Sequence, residues 1–184
     1  MSRPEKVSTK SDEDHCRKGR FACFLQPLIR NVRSRSLHMN LYLSEVEVLE
    51  GTRPTYATAV DTVLAFCTRR SMHCWRSVEW VGYSEIERRI GISEIFVALI
   101  DKYWTSSTWK GHEFTYASGA PGFNNGAKVK QIPTRIAFLA DGLEFPAYLR
   151  GCPAPITVTH THSELKDALA STHRGLTARP TRSL

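Results

Sequence analysis

Residues 103–117 read YWTSSTWKGHEFTYA, and they carry the densest chemistry in the chain. One acid, Glu113, lies between His112 and Phe114, and hydroxyls at Ser106, Ser107 and Thr108 precede it. Any of these three hydroxyls can cap a helix by accepting a backbone N–H of its first turn. Trp109 and Glu113 are four residues apart, so a helix puts them on one face. A carboxylate desolvated beside an indole has a raised pKa. Such a group can hold ribose hydroxyls or face the anomeric carbon as a glycosidic bond breaks. The competing interpretation is an acid placed early in a helix by the macrodipole alone.

Further candidates stand elsewhere. Ser44 ends a strand-like run, Arg53 follows it and could pair with a diphosphate, and Tyr83 could stack on a nucleotide. Trp80 is as readily a core residue. The HTHS run at His160–Ser163 lacks the second motif of a phosphoesterase. GFNNGAK at 122–128 lacks the Lys-Ser/Thr ending of a phosphate-binding loop and reads as a surface loop. Five cysteines at positions 16, 23, 67, 74 and 152 form no CxxC pair, so neither a metal site nor a disulfide framework is expected.

The elements that must position these groups alternate between strand and helix. MNLYLSEV (39–46) reads as a first strand, and Pro54 opens a helix whose buried stripe is Tyr56, Val60, Val63, Leu64 and Cys67. HCWRSVEWVG (73–82) reads as a second strand. Ser84 and Glu87 read as a capping box starting a helix with Ile86 and Ile90 inward. IFVALI (95–100) is continuously apolar, as a central parallel strand must be. After it come a loop and a helix ending near Gly119, then strands RIAFLA (135–140) and PITVTH (155–160). Thr161 and Glu164 form a second capping box, leading a helix with Leu165, Ala168 and Leu169 inward.

This order predicts an α/β domain: a doubly wound, flavodoxin-like, five-stranded parallel sheet with helices on both faces. Strand order 2-1-3-4-5 puts the switch point between the first and third strands, where ligands bind beyond the carboxyl ends. The stretch around Glu113 follows the third strand, so topology alone takes it to that crevice.

Charge divides the 184 residues into three parts. The net charge of +7 splits into +5 over residues 1–38, −1 over 39–170 and +3 over 171–184. The expected organisation is a basic extension, a domain at 39–170 and a basic tail. A nucleic-acid surface on the domain body is not expected. The first residues carry no apolar signal core and no run is long enough to span a membrane, so the expected location is cytoplasmic.

Tyr103, Ser106, Ser107, Trp109 and Glu113, preceded by GYSEIERRIGISEIFVALID, resemble the signature of Toll/interleukin-1 receptor (TIR) domains of bacterial type. The resemblance spans about residues 39–170 and is specific over 83–117. It implies a glycohydrolase or cyclase that cleaves NAD at the nicotinamide–ribose bond, with Glu113 catalytic. Ser44, Arg53, Tyr83, Ser107 and Trp109 are the substrate-binding candidates. NAD is then substrate and no cofactor is permanently bound. The resemblance also implies homo-oligomeric or partner-induced assembly, and a product read by an effector protein in antiviral defence. The strand LYLSEVEV and the short loop WVGYSE depart from the usual TIR pattern. MNLYLSE and STWKGHEFTYASG are also similar to nucleoside deoxyribosyltransferases, which act on the same bond type. A catalytically silent TIR scaffold is the remaining alternative.

Overall fold

Apolar residues occupy every position of one six-residue strand, Ile95–Ile100, and all six are buried. Such a strand needs cover on both faces, and the computed structural model supplies it. The structure describes residues 39–47, 53–79, 81–119, 132–151 and 155–178. The extension at 1–38, the loop at 122–128 and the end of the basic tail lie outside the described residues.

The strands are β1 (Asn40–Ser44), β2 (His73–Arg76), β3 (Ile95–Ile100), β4 (Thr134–Leu139) and β5 (Ile156–Thr159). They form one sheet in the order β2-β1-β3-β4-β5. Every pairing is parallel, with Leu41 beside Cys74 and Ile95, and Phe96 beside Arg135. The expected flavodoxin-like topology is therefore present.

Alternation along the strands sends side chains to two cores. On one face Leu41, Leu43, Ile95, Val97, Leu99, Ile136 and Phe138 pack under α1 (Pro54–Arg69) and α5 (His162–Thr177). On the other Tyr42, Phe96, Ala98, Ile100, Ala137 and Leu139 meet α2 (Tyr83–Gly91), α3 (Lys102–Ser106) and α4 (Thr108–Ala117). Pro54 starts α1, where its missing N–H costs nothing. Tyr56, Val60, Val63 and Cys67 are buried as expected, while Leu64 is only partly so. The Thr161–Glu164 capping box is complete: Glu164 N–H donates to Thr161 Oγ1 at 3.2 Å, and Glu164 Oε2 accepts from Thr161 N–H at 3.1 Å.

Three expectations are corrected. Ser84 does not cap α2, because the helix already begins at Tyr83 with Gly82 as an N-cap that has no side chain to offer. Strand β2 is short, because Ser77 turns the chain: its hydroxyl accepts from Glu45 N–H at 2.8 Å and donates to Glu45 C=O at 2.9 Å. The segment after β3 begins as helix α3, because Asp101 caps it by accepting Tyr103 N–H at 3.0 Å and Trp104 N–H at 2.7 Å. Helix α4 closes at Gly119 (φ 65°), where an added Cβ would stand 2.8 Å from Ile132.

Candidate functional site

Ser44 is the last residue of β1, and Asp101 follows the end of β3 directly. These strands are neighbours, so their carboxyl ends define the switch point. Ser107 ends α3 and caps α4, accepting Lys110 N–H at 3.4 Å. This turn aims α4 so that Glu113 points back at Ser44.

Glu113 is fully buried. Its Oε2 accepts the Ser44 hydroxyl at 2.6 Å, and its Oε1 accepts Lys110 Nζ at 3.0 Å. Ser44 Oγ in turn accepts Trp104 Nε1–H at 3.1 Å. Lys110 Nζ also donates to Ser77 Oγ at 2.7 Å, tying the carboxylate to the end of β2. The Tyr42 hydroxyl is near enough for the two groups to perturb each other, but it stands outside hydrogen-bonding geometry. Burial raises the pKa of Glu113 above the ordinary 4.5, and the Lys110 charge with the Ser44 and Lys110 hydrogen bonds opposes that rise. Burial next to this carboxylate pushes the Tyr42 phenol further up.

The structure brings some sequence candidates together and separates others. Ser44 and Glu113 are in direct contact. Tyr83 and Trp109 meet edge to face with ring centroids 4.2 Å apart, and His112 stacks on Trp109 at 5.4 Å. These two aromatics, with Val81, Gly82 and Ile86, line a cavity of about 150 Å³. Glu113 does not line it, and the indole linked to the carboxylate through a shared hydroxyl is Trp104, not Trp109. Arg53 is held inward: Nη2 is 2.6 Å from Asp101 Oδ2, and its guanidinium lies 4.0 Å from the Tyr56 ring centroid and 5.0 Å from that of Tyr103. Nη1 also donates to Glu47 C=O at 3.5 Å, and among the described residues Nε meets no acceptor. A second cavity of about 330 Å³ lies beside the end of β1, lined by Glu45, Glu47, Ala57, Val60, Asp61, Arg76 and Val78. Arg76 grips Glu45 there with two bonds, 2.5 and 3.1 Å.

Sequence reasoning missed Lys110, Ser77, Trp104 and Tyr42. The Lys-x-x-Glu spacing of 110 and 113 was a visible signal for the first. Among the described residues no group of His, Cys, Asp and Glu is arranged to hold a metal, and no helix is long and apolar enough to cross a membrane.

No protein-family profile and no curated protein sequence matches the chain. Among solved structures it is similar to a CMP N-glycosidase, BcmB, from Clostridium botulinum, at 12% identity and TM-score 0.46, over 71% of this chain and 98% of that one. It is also similar to the Flv1 flavodiiron core from Synechocystis, at 14% identity and TM-score 0.51, over 77% of this chain and 37% of that one. This second likeness is one of fold.

Proposed function

We propose that the protein cleaves the N-glycosidic bond of a nucleotide, with Glu113 as the carboxylate that faces the anomeric carbon. The observation that carries this reading is the enclosed Glu113–Ser44 contact at the carboxyl ends of the central strands. Open α/β sheets bind ligands at that place. Positive charge develops on the sugar ring as the bond to nitrogen breaks and the base leaves with the electron pair. A carboxylate in a low-dielectric site stabilises that charge far more than one in water. Water then adds to the anomeric carbon, or an internal nucleophile closes a cyclic product.

Ser44 orients Glu113. Tyr83 and Trp109 offer ring faces to the base. Arg53 offers charge to a diphosphate, in exchange for part of its pairing with Asp101. Ser107 acts through the helix turn it caps. The TIR resemblance makes NAD the first substrate to test and homo-oligomeric assembly the state to test it in. Deoxynucleosides come second, from the deoxyribosyltransferase resemblance.

A second reading has its own observation. Glu113 and Lys110 form a buried ion pair with both carboxylate oxygens occupied, which a non-catalytic assembly scaffold would also display. The discriminating experiment incubates the purified chain with NAD and with deoxynucleosides, alone and under crowding, and follows products by mass spectrometry. Nucleotide cleavage lost in Glu113→Gln supports the enzyme. Preference for a deoxynucleoside selects the transferase alternative. Absence of turnover in every assembled state selects the scaffold.

A further inference from the structure

Both oxygens of Glu113 are engaged, and the carboxylate has no exposed surface. A reacting sugar therefore needs one oxygen released. The Ser44 hydroxyl sits on a strand end and is itself fixed by Trp104. Lys110 is different: its ammonium ends a flexible stem and already holds a second acceptor, Ser77 Oγ, at 2.7 Å. It can let go of Oε1 without losing every partner. An ammonium left against Oε1 would oppose the positive charge that builds on the sugar.

We propose that Lys110 is a positioning residue, the counter-ion that keeps Glu113 as a carboxylate in the closed site and withdraws onto Ser77 when substrate takes its place. This rests on the N-glycosidic reading for the substrate and on the geometry for the ion pair. The groups facing Glu113 are Lys110 from α4, Ser44 and Tyr42 from β1, and Ser77, through Lys110, from beyond β2. Arg89 and Glu79 face the Tyr42 phenol with opposite effects on its charge. Among the described residues, Lys110 is the cation whose ammonium touches the carboxylate, at 3.0 Å. It is 5% exposed, so water screens the pair weakly.

The test uses the full chain labelled with 13C at glutamate side-chain carboxyls. The Glu113 signal, assigned by its loss in Glu113→Gln, is titrated in wild type, Lys110→Met, Lys110→Arg and Ser77→Ala. Lys110→Met should raise the midpoint by about one to three pH units, the span an adjacent opposite charge produces. Lys110→Arg should stay near wild type, and Ser77→Ala, the milder change, should fold and move the midpoint less than Lys110→Met. The ascending limb of kcat/KM against pH should move with the midpoint in Lys110→Met. Ser77→Ala, which removes the acceptor that takes the ammonium, should lower the alkaline plateau; a wild-type plateau in Ser77→Ala overturns the withdrawal. An unchanged midpoint in Lys110→Met, or the same rise in Lys110→Arg, overturns the proposal. If no substrate is turned over, the N-glycosidic reading fails, and the carboxyl titration still decides the role of Lys110.

Discussion

Replacing Lys110 with methionine leaves Glu113 buried without a counter-charge, and the cost of that must depend on pH. A buried carboxylate with no partner takes up a proton in preference to staying charged. In the unfolded chain the same group titrates near its ordinary 4.5. Between that value and the raised folded midpoint the unfolded state has lost the proton and the folded state keeps it. Stability therefore falls as pH rises through this window. With Glu113 held neutral, the penalty is about 0.8 kcal/mol at pH 5 and about 3.4 kcal/mol at pH 7, at about 1.36 kcal/mol per pH unit well above the ordinary value. Wild type carries a weaker form of this slope, because Lys110 favours the charged form. Urea unfolding at pH 5, 6 and 7, followed by tryptophan fluorescence, measures both proteins. The gap between wild type and Lys110→Met should widen with pH, by up to about 2.6 kcal/mol across this range. Histidines common to both proteins cancel in that difference. A gap that stays flat to within about 0.5 kcal/mol would show that Lys110 does not govern the charge on Glu113.

Other substitutions probe the scaffold. Thr161→Ala removes the N-cap of α5 and should cost about 1 kcal/mol in urea unfolding. Leu165→Ala, on the buried face of the same helix at 0% exposure, should cost about 2–5 kcal/mol. Trp104→Phe removes the donor to Ser44 and should cost about 1–3 kcal/mol by the same measurement. It should also lower kcat more than it raises KM, since Ser44 then orients Glu113 less firmly.

How far the fold was legible depended on how local each cause was. IFVALI gave β3 to the residue, because burial on both faces writes itself as an unbroken apolar run. The Thr161–Glu164 box and Pro54 were equally readable, since capping acts within one helical turn. Ser84–Glu87 has the same spacing and does not cap, because Tyr83, packed on Trp109, already lies inside the helix. Ser77 could not be seen as a turn, since its hydroxyl is satisfied by Glu45, 32 residues away in sequence. Site geometry followed the same division. The crevice position of Glu113 came from strand order. Lys110 escaped notice because an i, i+3 Lys–Glu spacing is common on exposed helix faces, and only the packing of α4 on β1 buries this pair. Arg53 looked free to meet a diphosphate, but Asp101 and two tyrosine rings hold it, which chain separation concealed.

Turnover of a nucleotide by wild type and Glu113→Gln, side by side and at matched folded fraction, tests the central claim most directly. The substitution keeps one carbonyl oxygen, enough for Ser44 or Lys110 but not both, turns the other oxygen into an N–H donor, and removes the negative charge. Loss of about a hundredfold or more in kcat with products of N-glycosidic cleavage in wild type is the predicted result. Cleavage that continues at the wild-type rate in Glu113→Gln would contradict it.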